Sequence, residues 1–135
     1  MASVVVGYVP TAEGEAALAQ GINEAKLRGA TLLVVNSRRG GGVIDEGQTP
    51  AEPNLRVIED RLRSAGVKYE VRGLVRGNDP ADDVVAVAEE TSADLIVIGL
   101  RRRSPVGKLI MGSKAQRILL DAPCPVLAVK QNPPG

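Results

Sequence analysis

The chain has no histidine, tryptophan or phenylalanine, one cysteine, and only two tyrosines, Tyr8 and Tyr69. Without histidine there can be no Ser-His-Asp triad, no Cys-His pair and no imidazole metal ligand. A lone cysteine excludes an internal disulfide and a thiolate cluster. Set in the apolar run Pro123-Cys124-Pro125-Val126-Leu127, it reads as a buried thiol rather than a reactive one. Two aromatic rings are too few to build a stacking platform for single-stranded nucleic acid, so nucleic acid is not an expected partner. No apolar run approaches the ~20 residues of a membrane helix. The first residues carry no basic, cleavable leader pattern. The expectation is a cytoplasmic protein without a membrane partner.

What remains is ordinary globular material: 135 residues, 44% hydrophobic and 24% charged, enough for a single domain spanning 1–135. The net charge of +1 conceals an asymmetry. Residues 95–120 hold Arg101, Arg102, Arg103, Lys108, Lys114 and Arg117 and no acid, so six of the 17 basic residues sit in one short segment of an otherwise acidic chain. Such a concentration selects for an anionic guest.

Five short aliphatic runs, 3–9, 30–35, 67–71, 94–98 and 125–129, read as strands. Most are apolar on successive residues, the habit of parallel strands covered on both faces; the first, second, fourth and fifth fit this best. Four helical segments separate them. Thr11 is positioned to cap the first, Glu13 and Glu15 fall in its first turn, and Leu18, Ile22, Ala25 and Gly29 recur on one face. The second shows Leu55, Ile58, Leu62 and Ala65 on one face, Glu59 and Arg63 four apart, and Gly66 as a terminator. Asp79-Pro80 announces the third, which runs through Val84, Val85 and Ala88. The fourth starts at Ser113, exposes Arg117, buries Ala115, Ile118 and Leu119, and ends before Pro123.

This alternation predicts an α/β fold: an open, doubly wound, five-stranded parallel sheet of order 3-2-1-4-5 with helices on both faces. Ligands of such sheets bind at the carboxyl ends of the strands where the order reverses, which selects the loops after the first and fourth strands. Residues 37–53, with Arg38-Arg39-Gly40-Gly41-Gly42, lack periodicity and read as a flexible loop, either a lid or slack, and 131–135 read as a loose tail.

The segment Gly99 to Ser113 follows a buried strand and opens a helix. A helix N-terminus presents unpaired N–H groups and partial positive charge, Gly112 permits close backbone approach, and the Ser113 hydroxyl can cap the helix or bond a phosphate oxygen. The same pattern also serves as a plain turn and cap with solvated arginines around it.

With Gly99, Gly112-Ser113 and the closing Ala122-Pro123-Cys124-Pro125-Val126-Leu127, the chain resembles the universal stress protein family over essentially its whole length. The family pattern is Gly, two residues, Gly, nine residues, Gly and Ser or Thr. The resemblance implies an adenine nucleotide as ligand, ATP or a relative, with or without magnesium. Gly99, Arg101, Arg102, Gly112, Ser113 and Lys114 would lie on the phosphate side, and Val9, Pro10, Thr11 and Ser37 toward ribose and base. Two positions depart from the pattern: Arg102 occupies the second glycine, and Val9 aligns with the usual acid at the end of the first strand. Arg102 can block the phosphates or grip one through its planar guanidinium. The resemblance further implies a homodimer through 126–130, where an apolar edge strand invites pairing. The expected function is a stress-response signalling module for which nucleotide is a signal. No catalytic residue or metal site is assigned, and ATP hydrolysis would be weak at most. The alternative is a dimeric protein-interaction module whose nucleotide site has decayed around Arg102.

Overall fold

The computed structural model describes residues 2–8, 11–36, 52–73, 80–100 and 112–130. They form, in order, β1 (Ser3–Tyr8), α1 (Ala12–Arg28), β2 (Thr31–Asn36), α2 (Glu52–Ala65), β3 (Tyr69–Gly73), α3 (Pro80–Thr91), β4 (Leu95–Leu100), α4 (Ser113–Asp121) and β5 (Val126–Lys130). The strands make one sheet of order β3-β2-β1-β4-β5, every neighbouring pair parallel. The expected order and doubly wound architecture are thereby found.

The Val-rich run of β1 explains its central place. Val4, Val5 and Val6 are all fully buried, which requires cover on both faces. On one face Val4 and Val6 join Leu32, Val34 and Val97 under α1 (Ala17, Leu18, Ala25) and α2 (Ile58, Leu62). On the other, Val5 joins Leu33, Val35, Ile96 and Ile98 under α3 (Ala81, Val84, Val87, Ala88) and Ile118 of α4. Each fully buried Val, Leu or Ile contributes about 1.5–3 kcal/mol relative to exposure, so these two layers dominate the stability.

Local signals set the helix ends. Thr11 adopts extended backbone and its Oγ1 accepts from the Gly14 N–H at 3.3 Å. Gly66, at φ 77°, turns the chain out of α2 as expected. Gly29 differs from its expected place on the apolar face of α1: at φ 62° it is the left-handed C-cap, exposed, with its N–H directed to Ala25 and Lys26 carbonyls. Glu52 and Pro53, expected in the loop, instead form the first turn of α2; the rest of that loop lies outside the described residues, as do the 131–135 tail and Asp79. Arg63 bridges Asp60 at 3.6 Å rather than Glu59.

Two further expectations are corrected at the edge of the sheet. Among the described residues β5 pairs only with β4, and its residues Val126 to Val129 are half-buried rather than covered on both faces. Leu119, expected inside, is 40% exposed, and Leu120 beside it is 83% exposed. The reason is shared: α4 packs chiefly against α3 at the edge of the sheet, so only a narrow stripe, Ile118 with half-buried Ala115, finds a surface to pack against.

Candidate functional site

β1 and β4 are parallel neighbours, paired Val4 to Leu95, Val5 to Ile96 and Val6 to Val97. The chain leaves β1 to one face and β4 to the other, so their carboxyl ends flank the point where the strand order reverses. Doubly wound sheets open a crevice there.

One wall of this crevice is the start of α1. It is pressed onto the end of β4 at Gly99: a Cβ there would overlap the Glu13 carbonyl oxygen and stand 2.6 Å from its carbonyl carbon. Gly99 is a glycine because a helix backbone crosses it. Thr11, capping the same helix, is exposed at this edge.

The start of α4 stands at the same carboxyl edge of the sheet. Gly112 is its N-cap, with extended backbone (φ −74°, ψ 167°) and no side-chain hydrogen bond closing the helix. Among the described residues, a Cβ at Gly112 would meet nothing within 4 Å. Ser113 is the first helical residue rather than the cap, and it and Lys114 are exposed. The contrast with the other helices is electrostatic. α1 carries Glu13 and Glu15 in its first turn and α3 carries Asp82 and Asp83, whereas α4 carries no acid there. Acids in a first turn already compensate the partial positive charge of the helix end; at α4 that charge is left for a ligand. Arg117 reaches Asp82 at 3.1 Å, linking α4 to the first turn of α3.

Of the residues expected at the site, Thr11, Gly99, Gly112, Ser113 and Lys114 lie at this carboxyl edge. Val9, Pro10, Ser37, Arg101 and Arg102 lie outside the described residues. Among the described residues no group of three potential metal ligands comes together, and no helix is long and apolar enough to cross a membrane.

The model of the universal stress protein family matches residues 1–130. This chain belongs to that family. The chain is 42% identical over 129 residues to a universal stress protein of Mycolicibacterium smegmatis, covering 96% of this chain and 98% of that one. In structure it is similar to the universal stress protein from Archaeoglobus fulgidus in complex with dAMP, at 34% identity and TM-score 0.73, with 96% and 98% of the two chains covered. It is also similar to a universal stress protein in complex with cAMP, at 26% identity and TM-score 0.70, covering 97% and 98%.

The family pattern did not single out a cluster beside the site. Tyr8, the last residue of β1 and only 4% exposed, donates its phenol O–H to Glu15 Oε2 at 2.6 Å. The other oxygen of Glu15 accepts from the Arg61 guanidinium, which comes from α2. Burial first, then the hydrogen bond to Glu15 and its charge, push the Tyr8 phenol up from 10.0 to about 12, with Arg61 acting in the opposite sense. Tyr8 is therefore a proton donor throughout the neutral range. Cys124 is half-buried, and burial, aided by the charge of Asp94, pushes its thiol up, away from the thiolate that reactivity requires.

Proposed function

We propose that this universal stress protein binds an adenine nucleotide across the carboxyl ends of β1 and β4 and uses occupancy as a signal in the stress response. The carrying observation is the amino terminus of α4: a glycine cap whose Cβ would meet none of the described residues, an exposed Ser113, an exposed lysine at 114, and no first-turn acid. Phosphate oxygens satisfy orphan amides and complement the helix dipole. The structural relatives in complex with dAMP and cAMP support adenine as the base. ATP is the nucleotide we assign, with Thr11 and residues 9, 10 and 37 on the ribose and base side and Arg101 and Arg102 near the phosphates. Asp82 is engaged by Arg117, which supports a bound signal rather than a rapidly hydrolysed substrate.

Isothermal titration with ATP, AMP and cAMP, each with and without magnesium, tests this reading. Micromolar binding that Lys114→Ala weakens is the expected result; no heat with any of the three overturns it. Arg102→Gly separates the alternatives: weaker binding means Arg102 holds phosphate, and stronger binding means it obstructs a decayed site.

The half-buried residues of β5 and the exposed Leu119 and Leu120 support a second element of the proposal, a cytoplasmic homodimer paired through 126–130 that presents the module to a signalling partner.

A further inference from the structure

We infer that Tyr8, Glu15 and Arg61 are positioning residues for the nucleotide site, setting where the first turn of α1 stands relative to the end of β4; this rests on the nucleotide-binding reading above. The first turn is held from two sides. Beneath it, Gly99 lets the Glu13 carbonyl settle onto β4. Beside it, the Glu15 carboxylate is shared between a phenol fixed in the core of β1 and a guanidinium fixed on α2.

The burial of the two partners differs in a useful way. Tyr8 is inside the protein and Glu15 is a charged acceptor, so their bond is charge-assisted and short. The Arg61–Glu15 pair is exposed, at 37% and 48% of the side chains, and exposed pairs contribute little to global stability. Arg61 is thus free to affect geometry without holding the fold together. It also places a positive charge beside Glu15, offsetting that carboxylate's repulsion of the anionic nucleotide proposed to bind nearby. Loss of Arg61 should loosen the α1 wall and restore repulsion toward the anion, so a residue of α2 tunes a site formed by β1, β4 and α4.

The test is ATP binding to the full chain by titration calorimetry for wild type, Arg61→Met, Arg61→Lys and Tyr8→Phe, with the thermal midpoint of each. Arg61→Met is expected to weaken ATP binding about two- to fivefold, of the order a single exposed charge supplies, with a midpoint within a few degrees of wild type. Arg61→Lys restores the affinity because it keeps the charge. Tyr8→Phe weakens binding as well, and the double variant Tyr8→Phe/Arg61→Met is less than additive because both act through Glu15. With no tryptophan in the chain, tyrosine emission in a Tyr69→Phe background reports Tyr8 alone; ATP is expected to change it, and less so with Arg61→Met. Wild-type affinity in Arg61→Met, or a lysine variant no better than methionine, overturns the positioning role while leaving nucleotide binding intact. A wild-type protein that binds no nucleotide overturns the functional reading itself, and this inference with it.

Discussion

Gly99 lies directly under the carbonyl of Glu13, with no room for a side chain between the end of β4 and the first turn of α1. The contact joins the two elements that frame the proposed site, and it makes Gly99 a packing residue whatever else it does.

Gly99→Ala should lift the start of α1 from the sheet and destabilise the protein by about 1–3 kcal/mol, the usual range for overpacking. Gly112→Ala is the control from the same motif. Its Cβ would meet none of the described residues and its φ is ordinary, so stability should fall by at most about 1 kcal/mol, the scale of an N-cap change. ATP affinity should nonetheless drop, because the methyl stands where a phosphate approaches. Denaturant unfolding read beside calorimetry separates the two glycines; equal stability losses in both would refute the distinction.

A second close approach lies deeper. A Cβ on Gly21 would overlap Val6 Cγ2, with Leu32 Cδ1 3.4 Å away. Gly21→Ala would gain about 1 kcal/mol in helix propensity but should be destabilising overall, because α1 cannot retreat without opening the core. Adding Val6→Ala vacates the space, so the double variant should show a favourable coupling of about 0.5–3 kcal/mol in a double-mutant cycle. Strict additivity would mean that α1 does not meet β1 there.

Tyr8 carries a pH dependence of definite sign. The unfolded phenol ionises near 10.0 and the folded one near 12. Between those values the unfolded chain binds fewer protons than the folded one, so stability falls as pH rises. The contribution is complete below about pH 10 and lost on the way to pH 12. Alkaline unfolding of Tyr8→Phe should lack this component, and phenolate absorbance in the Tyr69→Phe variant should titrate late. A normal tyrosine titration would show that the Glu15 bond is not maintained in solution.

The exposed pair on α4 and the open edge of β5 predict an association that charge disrupts. On the homodimer proposed above, the wild type should sediment as a dimer and Leu119→Glu/Leu120→Glu as a monomer. Both side chains are already exposed in the single chain, so thermal stability at low concentration should change little. A dimer that survives the double variant would place the interface elsewhere.

Cys124 should react slowly with thiol reagents at neutral pH and faster after unfolding, because burial holds its thiol in the protonated form. Rapid modification of the native protein would contradict its half-buried setting.

Much of this molecule could be read along the chain because the signals concerned are local. Valine runs specify buried strands, Thr11 and Gly66 end their helices through bonds to near neighbours, and the strand–helix alternation leads to a doubly wound sheet. The opening of α4 at Ser113 belongs to the same class. Tertiary structure decided what depends on distant partners. Arg61 meets Glu15 across 46 residues, and nothing in the spacing of either foretells it. Leu119 has the spacing of a buried residue yet is exposed, because periodicity describes a helix and not the extent of the surface it covers. Gly99 fits the family motif in sequence, and only the packed fold shows that a carbonyl of α1 occupies the space its side chain would need.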